Sequence, residues 1–431
     1  MNHPPPGHYC ARHRWTLLAL TLLGAALLSG LLSACNNGGD DSPLAKPITP
    51  ELQQVLEQVA ALRQLPAPIG LKVGAISRDD VPSALERTLT AEDGISFEHL
   101  TTLYRLLGHL GPDEDYRGAY LAFAGGNVIG FYSPRDKEFF VVTSGGSVEL
   151  SALDKQERST VAHELTHAVQ DGNFDLEATI NRTRDDLDWS LALSSVIEGD
   201  AVNIEGSWTR EHAYLPQPNR AFLASLSATQ SVPVSIEREF RFPYTTGAEW
   251  VSIVRSTRGN EAINGVLKGR RLTTAELIHP DLYDSGFSPD QIVLPDISHA
   301  LGGGWKHESG GAFGEFQLRN YLQLKLTALP ATVAATGWRA DRYDAYRDGS
   351  SAAAVFRVRF ATAADAQEFV SAQDTLFANS NARVDASTST VAGFPDGRTT
   401  IRAQVAGADV LFVIGSSRTI AESAFKALAG G

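Results

Sequence analysis

The segment His163-Glu164-Leu165-Thr166-His167 constrains this 431-residue chain more than any other five residues. Two histidines four positions apart lie on one face of a helix, so their imidazoles can converge on a single metal ion. The helix is legible around them. Asp154 and Glu157 read as a capping box, Val161, Leu165, Ala168 and Val169 form an apolar stripe, and Gly172 supplies a stop. Two histidines on such a helix are poorly placed as plain core residues, because a buried polar group without a partner is costly.

A third ligand follows 31 positions after His167. Glu198 lies in a second helical stretch, residues 186–208, among Leu191, Leu193, Val196, Ile197, Ala201, Val202 and Ile204. An ionised glutamate in that company needs a partner, and a metal is a good one. The 172–185 loop lets the second helix fold back beside the first. Zinc with three protein ligands keeps one position open for water and lowers the pKa of that water to about 7. Glu164, beside the first histidine, can take the proton as the water attacks a carbonyl. Residue types and spacing therefore point to zinc-dependent hydrolysis of a protein or peptide. Asp200 reads as an acceptor for the N–H of a ligating imidazole.

Residues 163–171 (HELTHAVQD) followed by 197–201 (IEGDA) resemble the gluzincin-type zinc metallopeptidases. More narrowly, they resemble a group of bacterial secreted or lipoprotein proteins carrying H-E-x-x-H. The resemblance covers roughly residues 120–345, through 129–142 (IGFYSPRDKEFFVV), 242–247 (FPYTTG), 278–283 (IHPDLY) and 314–318 (GEFQL). It implies His163, His167 and Glu198 as zinc ligands and Glu164 as general base. Thermolysin-like enzymes place an aspartate four residues after the third ligand, where this chain has Val202. A developing oxyanion also needs a donor besides the metal. Tyr244 and His279, each in a stretch that resembles the family, are the candidates, with Tyr283 and His212 behind them.

The ends of the chain speak about its compartment. Arg12 and Arg14 precede an apolar run over residues 15–34, which ends in Leu32-Ser33-Ala34-Cys35. That sequence resembles a bacterial lipobox, so residues 1–34 read as a leader and Cys35 as the lipid-bearing residue. The run is also long enough to span a membrane as an uncleaved anchor. Either reading exports the chain and tethers it to the cell envelope. Residues 35–50 read as a flexible tether. Cys10 lies in the leader, so no thiol or disulfide is left for the exported part, which excludes cysteine-based chemistry. The net charge of −13 becomes −15 once Arg12 and Arg14 leave with the leader, which argues against nucleic acid as a partner.

The rest of the pattern predicts an α+β chain. A mainly helical metallopeptidase domain over 51–343 carries a small antiparallel sheet before the zinc helix. A separate α+β unit follows over 344–431. Helices are expected at 51–65, 96–110, 248–257, 261–267 and 313–326. Short strands are expected at 120–123, 128–132 and 139–142, with Gly125-Gly126-Asn127 turning a hairpin. An open strand edge beside the zinc helix could pair with an extended substrate. The glycines at 302–304 and 310–311 read as rim loops, flanked by His299 and His307 as loop histidines. The C-terminal unit reads βαβββα, with strands at 353–360, 383–391, 399–405 and 409–414 and helices at 363–377 and 420–428. It offers packing or docking but no titratable cluster. Two rival readings stay open. One is a catalytically silent, zinc-stabilised lipoprotein that binds a partner. The other is a metal-free envelope protein whose C-terminal unit does the binding. The sequence does not fix an oligomeric state.

Overall fold

The computed structural model describes residues 45–81, 83–84, 97–125, 130–142, 153, 155–212, 232–387, 389–403 and 407–429. The leader, Cys35, Asp154 of the expected capping box and the Gly126-Asn127 turn lie outside them. Among the described residues no helix is long and apolar enough to cross a membrane.

The chain enters through strand β1 (Ala45–Pro47) and helix α1 (Pro50–Arg63). Thr49 caps α1 by accepting from Leu52 N, Pro50 occupies its first turn, and Gln64 ends it in the left-handed region. Leu52, Val55, Leu56 and Val59 are buried, as their spacing predicts, and each contributes roughly 1.5–3 kcal/mol of burial. Arg63, at the end of the same helix, is fully buried as well.

Strand β2 (Lys72–Ile76), helices α2 (Phe97–Leu107) and α3 (Tyr116–Gly125), and strands β3 (Gly130–Ser133) and β4 (Glu138–Val142) follow. The first sheet has the order β1-β2-β4-β3. It is mixed rather than antiparallel, because β2 runs parallel to β4. The hairpin is β3–β4, turning through residues 134–137. Residues 120–123, expected as its first strand, are helical. Tyr120 and Phe123 each pack a ring against Phe240, and that tertiary contact overrides the β preference of a short aromatic stretch.

The two helices that matter most are α4 (Lys155–Phe174) and α6 (Leu187–Glu211), joined through α5 (Leu176–Asn181). Asp186 caps α6 by accepting from Trp189 N. Gly172 does not stop α4. It sits where a Cβ would come within 2.9 Å of Pro68, so its bareness serves packing. Next come α7 (Val234–Phe242), a π-helical turn (Pro243–Gly247), α8 (Ala248–Arg258), α9 (Asn260–Leu267), α10 (Thr274–Ile278), α11 (Pro280–Ser285) and α12 (Ser298–Leu301).

The rest is strand β5 (Lys306–Gly311), helices α13 (Gly314–Leu322) and α14 (Ala328–Ala335), strands β6 (Trp338–Asp348) and β7 (Ser351–Phe360), helix α15 (Ala363–Asn379), strands β8 (Arg383–Ala386), β9 (Ser389–Gly393), β10 (Thr399–Ala403) and β11 (Asp409–Gly415), and helix α16 (Arg418–Ala429). The second sheet is antiparallel, with the order β5-β6-β7-β11-β10-β9-β8. Residue 344, the expected start of the C-terminal unit, falls inside β6. The expected strand at 383–391 is the β8–β9 hairpin. Gly310 and Gly311 lie in β5 rather than in a rim loop, and so does His307, whose Nε2 meets Asp344 Oδ1 at 3.0 Å. Leu103, Tyr104 and Leu107 of α2 share one apolar core with Phe356, Phe369 and Phe412 of the sheet unit.

Candidate metal centre

Helices α4 and α6 pack directly on each other, and both carry buried polar side chains. His163 and His167 stand one turn apart on α4, with ring centroids 4.7 Å apart and planes at 77°. Glu198 of α6 reaches between them. Its Oε2 lies 3.2 Å from His163 Nε2 and 3.5 Å from His167 Nε2. One ligand atom from each of the three lies within 4.8 Å of the other two, and no other such group occurs among the described residues. His163 is 1% exposed, and Glu164, His167 and Glu198 are fully buried. The structure thus brings together the residues that the sequence pattern singled out.

The Nδ1 side of each imidazole has its own acceptor, and the sequence reading named neither. His163 Nδ1 lies 3.1 Å from Glu205 Oε2, and His167 Nδ1 lies 2.9 Å from Gln170 Oε1. Both had a helical signal. Gln170 stands three residues after His167, and Glu205 stands seven after Glu198 on the same face of α6. Asp200, expected to touch an imidazole directly, stands one residue further back. It accepts from Gln170 Nε2 at 2.9 Å, from Arg63 Nε at 2.7 Å and from Arg255 Nη2.

Glu164 points toward the strand pair. Tyr132 N donates to its Oε2 at 2.8 Å, while its Oε1 has no partner among the described residues. Tyr132 Oη donates to Asp171 at 2.7 Å, which fastens β3 to α4. Tyr244 arrives on the π-helical turn and hydrogen-bonds Glu198. Two glycines permit this approach. A Cβ on Gly199 would stand 2.5 Å from Gly247 backbone, and one on Gly247 would stand 2.3 Å from Ser195 O. Tyr120, buried on α3 with no hydrogen-bond partner for its hydroxyl among the described residues, lies within electrostatic reach of Glu198 and was not foreseen in that place.

The other predicted donors lie elsewhere. His279 joins α10 to α11, and its Nε2 meets Glu315 Oε1 at 2.8 Å. Tyr283 packs edge-on against Trp250 and under the Arg270 guanidinium. His212 ends α6 and stacks on Trp208 at 4.4 Å.

Charge is arranged to suit a cation. Burial pushes the Glu164 carboxyl up to about 8, against the pull of His163. Burial opposes a charge on both His163 and Glu198. For His163 the hydrogen bond with Glu198 leads the opposing effects, and for Glu198 the electrostatic pull of His167 leads, with hydrogen bonds from both imidazoles behind it. With Glu205 assisting, the His163 imidazole is raised and the Glu198 carboxyl is lowered. Burial, with Glu198 and Glu164 close by, raises Tyr244 well above the ordinary phenol range, so its hydroxyl stays a donor. The residues fit zinc on two grounds. Two imidazoles and one carboxylate are a zinc donor set. His167 Nε2 and Glu164 Oε1 are each buried without a hydrogen bond among the described residues, which is costly unless each meets a partner such as an ion or its bound water.

Residues 305–424 match the model of a domain of unknown function (DUF8575). The match covers the second sheet and none of the cluster. No curated protein and no solved structure gives a significant match to the chain.

Proposed function

We propose that this chain is a single-zinc metallopeptidase of the gluzincin type, exported and held at the bacterial cell envelope by a lipid on Cys35. The observation that carries the reading is the convergence of His163, His167 and Glu198 within 4.8 Å, beside a glutamate with one oxygen held by Tyr132 N–H and the other without a partner among the described residues.

His163, His167 and Glu198 would hold the ion. Zinc bound there supplies Lewis acidity, polarising the scissile carbonyl and making water acidic enough to attack near neutral pH. The chain's own groups do the rest. Tyr132 N–H fixes Glu164 through Oε2 and leaves Oε1 to take the proton and pass it to the departing amine. Burial raises the proton affinity of that carboxyl, which helps it to hold the proton between the two transfers. Tyr244 is the donor for charge building on the carbonyl oxygen. Edge strand β3, next to α4, is the place for an extended substrate backbone.

The test is Glu164→Gln. Hydrolysis should fall by about 10²–10⁴-fold while zinc stays at one per chain by elemental mass spectrometry. Hydrolysis undiminished in that variant would remove the assigned mechanism. A specific observation keeps a second reading in play. With each ligand at most 1% exposed, a peptide has no direct entry in this conformation. That suits a zinc-stabilised lipoprotein that binds a partner. Full zinc occupancy together with no cleavage by the unaltered protein, across an unbiased peptide library, would select it.

A further inference from the structure

The chain behind His167 can be read link by link, because each link can point only one way. Arg63 is fully buried and is a donor only, since a guanidinium does not give up its proton. Its Nε donates to Asp200 Oδ2 at 2.7 Å, and its Nη2 donates to Asn264 Oδ1 at 2.6 Å. Arg255 donates to the other oxygen of Asp200. Both oxygens of Asp200 thus receive guanidinium N–H groups and act as acceptors.

Gln170 therefore has no freedom. Its Nε2 faces Asp200 Oδ2 at 2.9 Å and Ile197 O at 3.0 Å, and both of these are acceptors. The amide nitrogen must be on that side, which puts Oε1 toward His167 Nδ1 at 2.9 Å. An amide oxygen only accepts, so Nδ1 must carry the proton. In the neutral imidazole that leaves Nε2 as the acceptor nitrogen, on the side where Glu198 stands.

We propose that Gln170 sets the tautomer of His167, that Arg63 holds Gln170 in register through Asp200, and that α1 is thereby a working part of the metal centre. Gln170, Asp200 and Arg63 are positioning residues. They touch neither metal nor substrate. The choice of an amide also matters. It delivers an acceptor to the imidazole without adding a negative charge there, whereas His163 is backed by the carboxylate of Glu205. The two imidazoles are thus electronically unequal. The value of the relay to a metal rests on the zinc reading above, but the tautomer does not.

The experiment uses the full-length chain, labelled with ¹⁵N at histidine and stripped of metal, at about pH 8. Long-range ¹H–¹⁵N spectra report which nitrogen of His167 carries the proton. The wild type should show Nδ1–H. Gln170→Leu should move His167 toward Nε2–H and weaken zinc binding by about 10–100-fold in a chelator competition. Gln170→Glu should restore the Nδ1–H tautomer, because a carboxyl oxygen in the place of Oε1 still accepts from His167. Arg63→Met should give mixed tautomers and a weaker zinc affinity.

A wild-type His167 in the Nε2–H form overturns the proposal without any variant. An unchanged tautomer in Gln170→Leu overturns the role of Gln170. In Arg63→Met, an unchanged tautomer with zinc affinity within twofold overturns the role of α1. A wild type that shows Nδ1–H but binds no zinc leaves the relay standing and removes the proposed function instead.

Discussion

Two aspartates in this molecule are each held by a pair of arginines, and they have little else in common. Asp200 lies in the interior with Arg63 and Arg255. Its side chain and that of Arg63 are fully shielded from solvent. Asp409 opens β11 and takes Arg357 and Arg359 from the neighbouring strand β7, with 24% of its own side chain exposed. Coulomb's law treats the pairs alike, but solvent does not. Around Asp200, water is gone and each charge depends on its partner. Around Asp409, water competes for both charges and the pairing staples two strands that are already joined. The domain match falls on the second region, and the candidate metal centre adjoins the first. A sheet unit that packs well and ties its charges at the rim can sit in many contexts, whereas a buried carboxylate relay has meaning only where something at its end needs orienting.

The largest effect that would sharpen this contrast comes from Arg63. Removing one member of a buried pair leaves the other desolvated and uncompensated, at a cost of about 3–5 kcal/mol. Arg63→Met should therefore lower the urea midpoint of unfolding by that equivalent. Arg255, whose side chain is 23% exposed, supplies only part of the compensation. A loss below about 1 kcal/mol would mean that water reaches Asp200 and that burial does not separate the two regions as stated.

The sequence disclosed the buried cluster because metal chemistry restricts residue type and helix geometry restricts spacing. His163, His167 and Glu198 satisfy both restrictions locally. Gln170 and Glu205 satisfied the spacing but not the expectation of type, since a glutamine beside a zinc histidine carries no signature of its own. Asp200 was recognised as a supporting acid but placed one link too close, because the inserted amide is a tertiary fact. Arg63 could not be foreseen at all. It lies 137 positions from Asp200, and nothing near it in sequence says that its guanidinium turns inward. Tyr120 failed differently. Its neighbours favour a strand locally, but the ring of Phe240 far along the chain selects the helix. Tyr244 was legible as a candidate through family resemblance, while the glycine pair that admits it, Gly199 and Gly247, becomes meaningful only when α6 and the π turn cross.

A middle-sized effect tests the seam between the regions. His109 follows α2, is 3% exposed, and packs its ring 5.0 Å from that of Tyr104. Neither ring nitrogen has a partner among the described residues. Burial first, and then the charges of Arg238 and Arg398, hold it down to about 3 from the ordinary 6.5. The folded state therefore refuses a proton that the unfolded state accepts below about pH 6.5. Its contribution to stability is intact above that pH and declines by about 1.4 kcal/mol per unit as the pH falls toward 3. His109→Phe, which fills the space without titrating, should flatten that part of the stability profile between about pH 6.5 and 5. If the slopes match in urea titrations of both proteins, His109 is hydrated, and the seam is wetter than its burial indicates.

The smallest effect belongs to Asp409, and it is the control that gives the others meaning. Asp409→Asn keeps the shape and removes the charge that Arg357 and Arg359 share, at 2.6 Å and 2.7 Å respectively. Arg359 foremost, against the opposing effect of burial, holds the Asp409 carboxyl below the usual range. Its stabilising effect is thus present above the ordinary aspartate pKa and fades only in acid. At neutral pH the variant should lose no more than about 0.2–1 kcal/mol, and less in high salt, because solvent already screens the pair. The β7–β11 ladder beneath it would hold the strands without help, from Ala353↔Gly415 to Arg359↔Asp409. A loss as large as that of Arg63→Met would mean that the count of arginines, and not exclusion of water, governs both sites. The distinction between a relay that orients a ligand and a rim that joins two strands would then have to rest on the imidazole tautomer alone.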